Sequence, residues 1–92
     1  MIGAKYTRLT SAGNIKASDG LLHWLIVYNN DAATKHVILN DATSGTGSEV
    51  ATFKVATKHT EVFNFNPPIT LNVGIRIGTF EATDMEVTGG YD

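Results

Sequence analysis

Cysteine is missing from the 92 residues, which excludes a disulfide framework, a thiolate metal site and a cysteine nucleophile. Stability must therefore come from packing and assembly. Long apolar runs are missing too. The longest, residues 21–28, is interrupted by His23 and falls well short of the roughly 20 residues that cross a bilayer, so a soluble protein without a membrane partner is expected. Residues 1–5 lack the basic leader and following apolar stretch of a secretory signal, which makes synthesis in the cytoplasm the expectation. Positive charge is scarce: seven Lys and Arg stand against nine Asp and Glu. A chain with that balance lacks the clustered cations that displace counterions from nucleic-acid phosphates.

What is present fits a folded chain. The hydrophobic fraction of 42% and charged fraction of 17% belong to a globular protein rather than a disordered one. Ninety-two residues allow one core and one domain over 1–92, with residues 1–12 as an extended amino-terminal segment. Thr, Val, Ile and aromatics fill short periodic segments separated by Gly, Asn, Asp, Ser and Pro, the pattern of an all-β protein. We expect a single antiparallel β-sandwich, jelly-roll-like, with an immunoglobulin-like sandwich as the alternative.

Strands are predicted over residues 5–9, around 15–16, and over 21–29, 35–40, 49–55, 60–65, 71–77 and 85–87. Residues 21–29 are apolar on both alternations, the mark of a strand covered on both faces. If residues 21–29 and 35–40 form a hairpin, Ile26 lies opposite Val37 and Trp24 opposite Leu39 on the inner face. Leu25, Val27, His36 and Ile38 then lie on the outer face and form the expected oligomer interface, because large exposed apolar patches are uncommon on monomers. Pro67 and Pro68 should end the strand before them, since proline donates nothing to a ladder. Leu71, Val73, Ile75 and Ile77 are expected in the core, as are Trp24, Phe53, Phe63 and Phe65.

No constellation points to catalysis, a metal or a cofactor, and we expect a protein that is not an enzyme. Gly45-Thr46-Gly47 reads as an exposed loop between strands, because a phosphate cradle needs a helix amino terminus behind it. His23, His36 and His59 do not converge as metal ligands must. Charge is segregated along the chain. Lys5, Arg8 and Lys16 precede the first acidic residue, whereas Glu81, Asp84 and Glu86 near the other end have no basic residue among them. These groups can pair within one sheet or between subunits.

Gly13-Asn14-Ile15-Lys16-Ala17, the strand of residues 21–29, the run Asp41-Ala42-Thr43-Ser44-Gly45-Thr46-Gly47 and Asn66-Pro67-Pro68-Ile69 before Leu71-Asn72-Val73-Gly74-Ile75 together resemble small structural proteins of tailed bacteriophages, capsid decoration or cement proteins among them. The similarity covers residues 13–91. It implies a small sandwich that forms trimers on the virion surface and contacts the major capsid protein or another virion protein. A tail or fibre component, or a carbohydrate-binding module using exposed aromatics, are the alternatives.

Overall fold

The computed structural model describes residues 5–92. Eight strands follow in chain order: β1 (Lys5–Leu9), β2 (Gly13–Lys16), β3 (Gly20–Asn29), β4 (Lys35–Asp41), β5 (Glu49–Val55), β6 (His59–Leu71), β7 (Ile75–Phe80) and β8 (Met85–Tyr91). They form two four-stranded antiparallel sheets, β1-β8-β3-β6 and β2-β7-β4-β5, a jelly-roll order. Only β4 and β5 are joined as a hairpin within one sheet; every other connection crosses between the sheets.

The expected pairing of β3 with β4 is therefore not made. The corner between them is held open by Asn29, whose fully buried side chain replaces hairpin bonds. Its Nδ2 donates to the carbonyls of Ala33 (2.9 Å) and Val55 (3.0 Å) and, more weakly, Ala56 (3.3 Å), and its Oδ1 accepts from the Asp31 N–H (2.9 Å). Local side-chain bonds of this kind compete with ladder bonds and turn the chain toward the other sheet.

Asn40 does the corresponding work at the other end of the sandwich. Buried and fully bonded, it donates to the carbonyls of Thr46 (3.0 Å) and Gly47 (2.9 Å) and accepts from the Gly78 N–H (3.0 Å). Gly78 is required there, because a β-carbon would sit 2.5 Å from Asn40 Oδ1. Its neighbour Asp41 accepts from the amides of Val73 (2.8 Å), Asn72 (3.1 Å) and Gly74 (3.3 Å). Those bonds hold residues 72–74 in a turn, so the predicted strand over 71–77 is divided. Leu71 closes β6, Ile75 and Ile77 belong to β7, and Val73 is 55% exposed rather than core.

β6 continues through Pro67 and Pro68 instead of ending before them. It is an edge strand, where a missing donor breaks no ladder on the open side. Between Asn64 and Ile69 it bows away from β3, since Leu22 pairs with Ile69 but Trp24 pairs with Asn64. β8 likewise runs through Gly89 and Gly90 to Tyr91, longer than its sequence suggests.

The core lies between the sheets and includes Leu22, Leu25 and Val27 of β3, Val37 and Leu39 of β4, and Ile75 and Ile77 of β7. Phe53 stacks at a tilt against Phe63 and Phe65, with ring centroids 4.8 and 5.8 Å apart, as expected of core aromatics.

Truncation of a core side chain should be costly. Leu25→Ala is expected to lower unfolding free energy by about 2–5 kcal/mol through lost transfer energy and a cavity, measured by urea denaturation. The amides of Val73 and Asn72, opposed in part by desolvation and aided by Gly74, hold the Asp41 carboxyl below the ordinary carboxylate range. With a folded pKa below the unfolded one, the stabilisation is present above about pH 4 and is lost as pH falls through the folded value. The difference in urea midpoint between the wild type and Asp41→Asn should accordingly be widest at neutral pH and close in acid.

Candidate functional site

The outward-facing residues of the β1-β8-β3-β6 sheet follow from the alternation of β3, and that alternation is reset by a bulge. On β8, Tyr91 and Gly90 are adjacent, yet they pair with Leu22 and Trp24. His23 is the extra residue. Past a bulge the inward set changes parity, so Leu22, Leu25 and Val27 all face the core and Trp24, Ile26 and Tyr28 face out.

Leu25 and Val27, expected at an oligomer interface, are thus completely buried by their own chain and cannot touch a partner. Trp24 and Ile26, expected in the core, are half-buried on the outer surface. His36 and Ile38 do face outward, but on the β2-β7-β4-β5 sheet, opposite Lys54 and Thr52 in a mostly polar setting.

Register aligns the outer face into rows. Tyr6, Gly90, Trp24 and Asn64 form one; Arg8, Thr88, Ile26 and Val62 the next; Glu86, Tyr28 and Thr60 a third. Tyr6 is 69% and Val62 54% exposed, so apolar side chains stand on β1, β3 and β6 of this face, interspersed with Arg8, Thr88, Glu86, Thr60 and Asn64. Gly90 shapes it. A β-carbon at that position would overlap the Trp24 indole, which therefore lies directly over the glycine backbone.

The charged residues singled out in the sequence divide between structural contacts and solvent. Arg8 pairs with Glu86 across β1 and β8, the arrangement expected within one sheet; at such exposure an ion pair contributes about 0.2–1 kcal/mol. Glu81 accepts from the His36 N–H (3.0 Å) and meets His36 Nδ1 at 2.9 Å. Lys16 Nζ donates to the Asp92 carbonyl at 3.2 Å. Lys5 and Asp84 are exposed and make no ion pair among the described residues. No group of three or more His, Asp or Glu among the described residues is placed to hold a metal ion.

Clefts open on the surface of the described residues, and three of them are lined by residues of interest. The first, of about 380 Å³, lies between residues 10–12 and Phe80 and has hydroxyls but no charge. The second, of about 360 Å³, surrounds the His36–Glu81 pair with Lys35 and Lys54. The third, of about 270 Å³, is lined by His23, Trp24, Asn64, Phe65, Asn66 and Pro68. It sits where the β3 bulge faces the bow in β6. His23 is only 7% exposed and its Nε2 meets Asp92 Oδ2 at 2.8 Å. Sequence reasoning missed this site because no periodicity signals an inserted residue; the adjacent glycines of β8 and the paired prolines of β6 were the available hints.

Gly90→Ala tests the outer-face geometry. Overpacking against the indole should cost about 1–3 kcal/mol, and displacement of Trp24 into water should shift its emission to the red. No protein-family description, curated protein or solved structure matches the chain.

Proposed function

We propose that this chain is a non-enzymatic structural protein of a phage particle, a capsid decoration or cement protein that acts as a homo-oligomer on the virion surface. One observation carries the reading: the apolar outer face of the β1-β8-β3-β6 sheet, where Tyr6, Trp24, Ile26, Tyr28 and Val62 lie in adjacent rows. A sandwich has one interior, and this second apolar surface lies outside it. Aromatic residues around the aliphatic pair Ile26 and Val62, with the Arg8–Glu86 pair beside them, match the composition of interface cores and their polar surroundings.

The occupant we assign to this face is a second copy of the chain. Closed symmetry is the common solution for soluble assemblies, and a trimer follows from the resemblance to phage decoration proteins. The remaining surface, including the outward His36 and Ile38, is then available to the major capsid protein or another virion protein. No step of this role requires a nucleophile, a metal or a cofactor.

Light scattering checks the assembly, and addition to particles lacking the protein checks the attachment. The wild type should be oligomeric and should bind particles. Ile26→Glu combined with Val62→Glu should yield folded monomers, because both side chains stand outside the core. A wild type that stays monomeric at high concentration and ignores the particles would overturn the proposal.

A further inference from the structure

The cleft beside Trp24 is produced by two irregularities that face each other. β3 carries the extra residue His23, and β6 bows out over residues 65–68 opposite it. Bulges re-aim side chains and are frequent beside binding sites. Here they bring together a half-buried indole, two exposed carboxamides, the Phe65 ring and a nearly buried imidazole. The cleft opens beyond the Trp24–Asn64 pair, on the side away from Ile26, Val62 and Tyr28.

We propose that this cleft binds a neutral pyranose, presented as the terminal sugar of a glycan. An indole offers a flat face of negative potential, suited to the weakly positive C–H face of a pyranose. Asn64 and Asn66 each carry a donor and an acceptor side by side, which matches the paired hydroxyls of a sugar. The His23 ring lines the same space. Its Nε2 is engaged by Asp92, and its Nδ1 has no hydrogen-bond partner among the described residues.

The charge pattern narrows the ligand class. No Lys or Arg lines the cleft, and the Asp92 carboxylate stands behind the imidazole. Phosphorylated, sulfated and carboxylated sugars would find no Lys or Arg among the lining residues to pair with, which disfavours them. A neutral sugar requires no counter-charge. The cleft shares Trp24 with the self-association face, but its other lining residues, His23, Asn64, Phe65, Asn66 and Pro68, lie outside the residues assigned to that face.

Trp24 is the only tryptophan, so its emission reports on the cleft directly. A glycan array is screened first, and the best neutral hits are titrated as methyl pyranosides against the full-length protein. A saturable change in emission is expected, with a dissociation constant on the order of 1 mM for one ring. Sialic acid and glucose 6-phosphate should give none. Asn64→Ala with Asn66→Ala, both at exposed positions, should weaken binding by about tenfold or more while circular dichroism stays unchanged.

The same titration on the Ile26→Glu, Val62→Glu variant separates the two proposals: sugar binding should persist whatever the oligomeric state. Absence of any saturable neutral hit, an undiminished response in the double asparagine variant, or a preference for the anionic sugars would each overturn the assignment.

Discussion

The central strand β3 pairs with β8 on one side and β6 on the other, and both ladders slip at the same place, between Leu22 and Trp24. Because side chains alternate with a period of two, a single inserted residue exchanges every later inward side chain for an outward one. In β3 both sets are apolar. Hydrophobicity therefore does not choose between them, and the bulge at His23 does. Leu25 and Val27 enter the core, Trp24, Ile26 and Tyr28 form the outer surface, and the space beside the extra residue becomes a cleft.

Fixing a bulge requires that its surroundings leave only one register. Three features of this chain supply that constraint. Gly90 receives the indole, which no residue with a β-carbon could do without moving it. The His23 ring, withdrawn from water, is compensated by Asp92, as a buried polar group must be. The backbone of Asp92 in turn exchanges two hydrogen bonds with Leu21, at 3.0 and 3.1 Å, extending the ladder past the irregularity.

The two buried asparagines determine connectivity as the bulge determines facing. Each satisfies several backbone groups at a place where the chain leaves one strand for the next, Asn29 where it crosses to the other sheet and Asn40 before the hairpin loop. An apolar side chain at Asn29 would leave the Val55 carbonyl without its donor, and one at Asn40 would leave the Gly78 N–H without its acceptor. The result is a rigid frame in which two outer faces differ in character. That of β2-β7-β4-β5 carries Ile38 and Val50 among His36, Lys54 and Thr52 and has no aromatic among them, whereas that of β1-β8-β3-β6 carries Tyr6, Trp24 and Tyr28 with Ile26 and Val62, beside the Arg8–Glu86 pair. This asymmetry is the physical basis for assigning self-association to one sheet and leaving the other for a different partner.

By itself the sequence determined the class of fold, because strand periodicity and turn residues act locally. The all-β sandwich, the positions of β1, β4 and β5 to within a residue, and the inward aromatics Phe53, Phe63 and Phe65 were legible for that reason. The apolar excess of β3 was legible as well, and with it the existence of a second apolar surface. Which residues compose that surface was decided only in three dimensions. Pairing partners, the bulge at His23, the turn that Asp41 imposes on Val73 and the passage of β6 through its prolines all depend on contacts between residues remote in the chain. Local pattern carries no record of such contacts, so the outer face and the cleft beside Trp24 belong to the tertiary structure alone.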